Sequence, residues 1–272
     1  LPEPVLSVDL SVDYPAKQGV LRGVCVDVFP GEIVGLVGES GSGKSTLALA
    51  ILKLLDHTGA QVRGRLSLLG EDFADCNDAE MRAVRGRQVS LIPQSATAAL
   101  NPALRIGTQL REAWRAHSRE PWAGQQQRLT RLLESAGLPA TEAFLRRFPG
   151  QISVGQAQRM LIVMSLLHSP ALLVADEPTS ALDAITQREV LDLLAGLVRE
   201  RRTGMLFISH DLLVVANLCH RLAILHDGRI VECGPVAQVL GAPQHDYTKR
   251  LVAAVSTWER AAYRAAPGDS SN

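Results

Sequence analysis

The stretch Ile33-Val34-Gly35-Leu36-Val37-Gly38-Glu39-Ser40-Gly41-Ser42-Gly43-Lys44-Ser45-Thr46 decides how the rest of the chain is read. Its first five residues are mostly apolar and partly β-branched, the pattern of a buried strand. The run breaks at Gly38, and the apolar residues from Leu47 to Leu55 return at helical rather than alternating spacing. Between them lies G-x-x-x-x-G-K-[ST], the spacing of a phosphate-binding loop. Gly38, Gly41 and Gly43 open backbone torsions that are closed to residues with a Cβ. The N–H groups of the loop, with Glu39, Ser40, Ser42 and Thr46 among its residues, can then turn inward on phosphate oxygens. The helix that follows points its positive end at the same anion. Lys44 would reach the β- and γ-phosphates, and the Ser45 hydroxyl would be a Mg²⁺ ligand. With glycine near 7% of residues, a chance match in a chain this long is on the order of one per cent. A nucleoside triphosphate site is therefore expected, rather than a glycine-rich turn with a stray lysine.

Composition narrows the class. The chain has 272 residues, 46% of them apolar and 21% charged, enough for one large domain or a core with a subdomain. Lys plus Arg balances Asp plus Glu at 28 each. Non-specific nucleic-acid binding needs positive charge to neutralise phosphates, so the balance counts against a nucleic-acid partner. Cys25, Cys76, Cys219 and Cys233 lie far apart and make no C-x-x-C pair or metal-ligand spacing. They read as reduced, mostly structural thiols of a cytosolic protein. Leu1-Pro2-Glu3-Pro4 has no basic region before an apolar core, so it does not read as a signal peptide. It does not open with methionine either, which leaves room for missing or trimmed residues. No apolar run approaches the 18 or so residues of a membrane span. The nearest, Met160 to Ala175, is interrupted by Ser165, His168, Ser169 and Pro170.

Working outward, Val8, Leu10, Val12 and Tyr14 alternate with polar residues, so a half-buried strand is expected up to Pro15. Val20 to Phe29 predicts a second strand, closed by Pro30-Gly31. Gln61 to Leu69 predicts another, ending at Gly70. Glu71 to Arg87 is polar and partly helical in character. Val89 to Ile92 is a buried strand stopped by Pro93, with Gln94 after it. From Ser95 to Pro149 the β-branched residues thin out and Leu, Ala, Gln, Glu and Arg take over, which is helix-forming chemistry. Helices are expected over 106–117 and 125–136, with Gly137 as a stop. The arginines here (Arg105, Arg111, Arg115, Arg119, Arg128, Arg131) alternate with Glu112, Glu120, Glu134 and Glu142, so they read as a solvated face and not a nucleic-acid stripe.

Ser153 can cap a helix running to about His168, with Met160, Leu161, Val163, Met164 and Leu167 as its buried stripe. Leu172 to Ala175 is a buried strand that ends at Asp176-Glu177. Helix is expected over 185–199, strand over 205–209 ending at His210-Asp211, and helix over 212–219. Arg221–Leu225 and Arg229–Cys233 flank Asp227-Gly228, a hairpin signal. A last helix is expected from about Tyr247 to Arg264. Strands alternating with helices argue a mostly parallel sheet, and ligands of such sheets sit beyond the carboxyl ends of the strands. Four strand ends deliver polar groups there: Lys44-Ser45, Gln94, Asp176-Glu177 and His210. Jointly they supply what phosphoryl transfer to water needs.

With these residues in place, the sequence resembles the ATP-binding cassette (ABC) ATPases over nearly its whole length. Gly38 to Ser45 resembles the Walker A motif and Leu172 to Glu177 the Walker B motif. The resemblance implies that Asp176, with Ser45 and Gln94, holds Mg²⁺ and that Glu177 polarises the attacking water. Gln94 matches the Q-loop, Ser180 to Asp183 the D-loop, and His210 the switch histidine. Tyr14 matches the aromatic that stacks on adenine. Gln151-Ile152-Ser153-Val154-Gly155-Gln156 followed by Gln158-Arg159 resembles the signature segment, through which Ser153, Gly155 and Gln156 would meet the γ-phosphate held by a second subunit. The usual signature has Gly where Val154 stands, which is expected to leave function retained but weakened.

The fold implied is an α/β P-loop NTPase (RecA-like) core with a mostly parallel sheet, an N-terminal antiparallel β part and an inserted helical subdomain. The expected boundaries are 1–94 and 163–245 for the core, 95–162 for the helical subdomain, and 246–272 for a C-terminal helical tail. A finer likeness lies in Ala99-Leu100-Asn101-Pro102 and in Pro243 to Leu251. Both resemble the peptide/nickel importer branch of the family. Many members of that branch carry a cysteine-rich iron–sulfur extension, and the chain stops without one, so no cluster is expected and the reading leans slightly towards the nickel or metal-chelate members. The implied partners are a second ATPase subunit, two membrane-spanning permease subunits and, indirectly, an extracytoplasmic solute-binding protein. The implied place is the cytoplasmic face of a bacterial inner membrane. The alternative is a soluble, non-transport ATPase of DNA repair or translation, which the missing coiled coil or second cassette disfavours. A P-loop GTPase is disfavoured by the absence of an Asn-Lys-x-Asp motif.

Overall fold

The computed structural model describes residues 3–254. In chain order the strands are β1 (Leu6–Tyr14), β2 (Lys17–Val28), β3 (Ile33–Val37), β4 (Gln61–Leu68), β5 (Glu71–Asp72), β6 (Val89–Ile92), β7 (Leu172–Asp176), β8 (Gly204–Ile208), β9 (Arg221–His226) and β10 (Arg229–Pro235). The helices are α1 (Lys44–Ile51), α2 (Asp78–Val84), α3 (Ala96–Ala99), α4 (Ile106–Arg115), α5 (Gln126–Ser135), α6 (Glu142–Leu145), α7 (Val154–Ser165), α8 (Ala184–Arg201), α9 (Leu212–Leu218), α10 (Val236–Gly241) and α11 (Asp246–Ala254). The chain divides into two compact units. Of the described residues, one unit holds those up to Val5, Phe29–Gly31 and Asp75–Met205, and the other holds Leu6–Val28, Glu32–Ala74 and those from Leu206 to Ala254.

The unit that carries the glycine-rich loop has an antiparallel sheet in the order β2-β1-β4-β5. β1 lies between β2 and β4, with Leu6 opposite Val28 on one side and Leu68 on the other. Leu6, Val8, Leu10 and Val12 are buried, as the two-residue alternation requires. β2 begins at Lys17, three residues before the expected start. Tyr14 pairs directly with Lys17, and the Asp13 carboxylate accepts the Gly19 N–H and pairs with Arg63, which pins the polar start of the strand.

In the same unit β3 runs parallel to β9, in register from Val34↔Arg221 to Val37↔Ile224. β9 returns through Asp227-Gly228 into antiparallel β10. Both turn residues have positive φ, 45° and 72°, the torsions a two-residue hairpin of matching twist demands. Every residue of β3 is buried. Gly35 has a packing reason, since a Cβ there would stand 2.6 Å from Val215 Cγ1 of α9.

The other unit is mostly helical. Parallel β6 and β7 pair from Val89↔Leu172 to Ile92↔Ala175. α7 turns Met160, Leu161, Ile162 and Val163 into its core and packs on α3, α5 and β6. Helices α3 to α6, in the segment 95–162, all belong to this unit.

Several element ends differ from the expected ones. The first helix spans Lys44–Ile51 and stops short of Leu55, where Lys53 takes a positive φ of 47°. The helix expected over 106–117 ends at Arg115. The one expected over 125–136 is preceded by a 3₁₀ turn, Trp122–Gln125. It ends as anticipated: Gly137 is left-handed at φ 65°, and its N–H and that of Leu138 bond back to Glu134 and Leu133. α7 ends at Ser165 rather than His168, because Ser169 turns the chain with φ 51°. The polar stretch after Gly70 holds the short β5, then α2 behind an Asn77/Glu80 capping box. The short α3, α6 and α10 carry too few turns for their periodicity to be read. The last helix begins at Asp246 and is described to Ala254; the rest of the expected helix, to Arg264, lies outside the described residues.

Candidate active site

The loop between β3 and α1 is built around one lysine. Lys44 is buried at 7% exposure. Its Nζ donates to the carbonyls of Gly38 and Glu39, both at 2.8 Å, and the Ser42 N–H bonds Glu39 O at 3.2 Å. The ammonium therefore closes the loop onto the start of its own helix. Gly43, the residue before α1, has φ 109°, which L side chains rarely adopt. A Cβ on Gly38 would lie 2.2 Å from the Leu225 carbonyl oxygen, a collision with backbone that cannot move aside. Gly41 faces open space. Ser45 and Thr46 stand on the first turn of α1, Ser45 exposed.

A cavity of about 370 Å³ opens on this loop. Glu39, Ser40, Gly41 and Ser42 form one side, the β9–β10 turn His226-Asp227-Gly228 another, and Lys17 and Arg22 of β2 bring positive charge to the rim. The Ser42 hydroxyl is buried with no hydrogen-bond partner. An orphaned donor inside a loop whose Gly41 faces open space suits phosphate oxygens. Tyr14 does not line this cavity; it sits at the β1–β2 turn, half-buried. His210 is exposed just after β8, beside Asp211, whose carboxylate caps α9 through the N–H groups of Leu213 and Val214. Residues beyond the loop motif also belong here. The Tyr247 hydroxyl accepts the Glu39 N–H at 3.1 Å, and its ring stacks on His226 at 3.9 Å. Burial pushes the Tyr247 phenol above its ordinary range. In the sequence Tyr247 is marked by nothing more than its place in the Pro243 to Leu251 segment, whose signal is a resemblance.

In the other unit the register of β6 on β7 brings two polar groups together. Gln94, two residues past β6, donates from Nε2 to Glu177 Oε2 at 3.1 Å. Glu177 follows β7 directly, with φ 47°. A non-glycine residue in that region is uncommon and is concentrated at functional sites. Its carbonyl accepts both the N–H and the hydroxyl of Ser180, which tightens the turn behind it. Asp176 ends β7, half-buried. Ser153 and Gln156 cap α7 reciprocally: Ser153 Oγ accepts the Gln156 N–H and Gln156 Oε1 accepts the Ser153 N–H, each at 3.1 Å. Val154 is 46% exposed beside them. A Cβ on Gly155 would stand 2.6 Å from Thr186 Cγ2. Asp183 caps α8 through the N–H groups of Ile185 and Thr186, and the Thr186 N–H leads the hydrogen bonds that hold its carboxyl below the usual range. Among the described residues no cluster of three His, Cys, Asp or Glu side chains is arranged to hold a metal ion. Mg²⁺ in phosphate sites needs no such cage, being bound through one or two carboxylates and the substrate phosphates; Asp176 at the end of β7 is a carboxylate donor and the exposed Ser45 on α1 a hydroxyl donor, each within its own unit.

These elements define an ATP-binding cassette of the P-loop NTPase class, a mixed α/β fold. A model of the family described as "ABC transporter" matches residues 21–180, and the chain belongs to that family. The chain is 38% identical over 255 residues to the oligopeptide transport ATP-binding protein OppD of Bacillus subtilis strain 168, covering 92% of this chain and 71% of that protein. It is 40% identical over 258 residues to the glutathione import ATP-binding protein GsiA of Salmonella choleraesuis strain SC-B67, covering 92% of this chain. The chain spans only 41% of that longer relative. A dimeric ATP-binding cassette, MJ0796, solved in a post-hydrolysis state bound to ADP and Pi, superposes with a TM-score of 0.73 at 26% identity over 85% of this chain and 98% of that one.

Proposed function

We propose that this chain binds and hydrolyses ATP as the cassette subunit of an importer in the peptide branch of the family. The observation that carries the reading is the Lys44 loop, with its buried partnerless Ser42 hydroxyl, in a fold that also pairs Gln94 with Glu177. Bound Mg²⁺ would supply charge neutralisation at the phosphates. Within this reading Ser45, Gln94 and Asp176 would hold the ion. Lys44 and the N–H groups of residues 38–46 bind the phosphates, and Tyr14 stacks on the base. Glu177, oriented by Gln94, takes the proton of the attacking water, and His210 senses the γ-phosphate. The work of these residues is positioning and electrostatics more than covalent chemistry.

Ser153, Gly155, Gln156 and Asp183 would face the ATP of a second cassette. That partner is supported by the dimeric state described for MJ0796. The relatives named for oligopeptide and glutathione import support peptides as cargo over nickel or metal chelates. Two permease subunits and a solute-binding protein would complete the assembly, with this chain on the cytoplasmic face of a bacterial membrane. Among the described residues no helix is long and apolar enough to cross that membrane. The segment 95–162 would be the surface that meets the permeases, near Gln94 and Leu100. Titration of Lys44→Ala with ATP tests the site: most of the binding should disappear. Wild-type affinity would remove the loop from nucleotide binding and the reading with it.

A further inference from the structure

We infer that Tyr247, on the first turn of α11, is a positioning residue for the phosphate loop. It holds the Glu39 peptide in place from behind the cavity. The inference rests on the ATP-binding reading above and extends it to a residue outside the loop, Q-loop, signature and histidine motifs.

Glu39 is fixed from two ends. Its carbonyl is taken by the Lys44 ammonium and the Ser42 N–H. Its N–H has a separate partner, the Tyr247 hydroxyl at 3.1 Å. A backbone N–H without a partner is costly to bury. The peptide unit that carries this N–H is Gly38–Glu39; it is held at its donor by the Tyr247 hydroxyl and at its acceptor, the Gly38 carbonyl, by the Lys44 ammonium at 2.8 Å, so it cannot rotate without breaking one bond. Lys44 is itself meant for phosphate. Each interaction it makes with phosphate competes with its bonds to Gly38 and Glu39, whereas the Tyr247 bond does not depend on that competition.

Tyr247 is placed for this by a short relay. The Glu232 carboxylate of β10 accepts the N–H groups of Gln244 and His245, each at 3.0 Å. The His245 Nδ1 accepts the N–H of Tyr247 at 3.2 Å. The ring then lies flat on His226, 3.9 Å between centroids and 12° between planes, and only 3% of the residue is exposed. Glu39 and His226 line the cavity while Tyr247 does not. It therefore acts on the ligand site through the two walls it supports.

The test compares the whole chain with Tyr247→Phe, which keeps the ring stack and removes the hydroxyl. The expected result is ATP binding about 3- to 10-fold weaker, the scale of one neutral hydrogen bond, with kcat within about 2-fold, the pattern of a binding loss. The Glu39 amide should exchange its hydrogen faster while the melting temperature holds. Wild-type ATP affinity and wild-type exchange at Glu39 would overturn the inference. So would weaker binding with Glu39 exchange unchanged, since that loss would not run through the loop. If Tyr247→Phe does not fold, Glu232→Gln loosens the same relay and takes the same two readouts. A wild-type chain that binds no ATP would sink the functional reading itself, which separates that failure from this one.

Discussion

Gln94 Nε2 donates to Glu177 Oε2 across 3.1 Å, and the two residues are neighbours only because Ile92 of β6 lies opposite Ala175 of β7. The amide fixes one carboxylate oxygen and, with Glu177 at a backbone torsion that only a tight turn maintains, aims the other. Glu177→Gln should still bind ATP but turn over about 10²-fold or more slowly, the scale of a lost general base. Gln94→Ala should leave nucleotide affinity closer to wild type than Lys44→Ala does, and lower kcat. Steady-state ATPase assays beside a nucleotide titration check both. Near-normal hydrolysis by Glu177→Gln would take Glu177 out of that role.

Two glycines of the loop should answer differently to alanine. At Gly38 the new methyl meets the Leu225 carbonyl, and overpacking against backbone costs about 1–3 kcal/mol or more. At Gly41 there is open space, and only φ 78° resists, a strain of about 1–2 kcal/mol for an L-residue. Urea denaturation should rank Gly38→Ala below Gly41→Ala. The reverse order would mean that Gly38 does not pack against the Leu225 carbonyl of β9.

Ser153→Ala should remove one half of the α7 capping box and lower stability by about 1 kcal/mol, with Ser153→Thr recovering most of it. Thermal melts measure this. If Ser153 also meets a neighbouring cassette's phosphate, ATPase activity should fall further than the melting shift explains, and Ser153→Thr should recover stability better than activity.

His117 and His168 stand edge to face at 5.3 Å, with Trp114 stacked on His168 and the Arg128 guanidinium over Trp114. Burial comes first in holding both imidazoles below their ordinary value; the charge of His168 adds to it at His117, and Arg128 and Arg87 add to it at His168. The unfolded chain therefore takes up protons before the folded one as pH falls. Stability should be full above about pH 6.5, the free histidine value, and decline as pH drops from there through the lower folded values. The double variant His117→Gln/His168→Gln should flatten that decline in denaturation curves between pH 7 and 5, a window set by these ordinary values. An unchanged slope would assign the acid sensitivity elsewhere.

The core of the fold was legible where chemistry and periodicity agreed. The β3–loop–α1 turn, the alternation of β1 and the Asp227-Gly228 hairpin each have one physical solution, and the structure adopts it. Ser153, Asn77, Asp183 and Asp211 show the limit of that reading. The first is a cap visible from its helix pattern, and Asp211 stands directly before a helix whose expected start, Leu212, is the observed one; Asn77 caps a helix blurred by its polar flanks, and Asp183 one that starts a residue before its expected place. The Gln94–Glu177 contact could not be derived from spacing, because the residues are 83 positions apart and meet only through strand register. Tyr247 was hidden for a related reason: a hydroxyl bonded to a backbone N–H 208 positions away leaves no periodic trace.

The absent side chain of Gly155 makes space for the Thr186 methyl at the head of α8. Loss of activity in a Gly155 variant would thus report on the docking of two helix starts as well as on any ligand. A shaved neighbour, Thr186→Ser, removes the obstructing methyl and keeps the hydroxyl that bonds Asp183. Paired with Gly155→Ala, it turns an ambiguous lesion into one whose steric half can be subtracted.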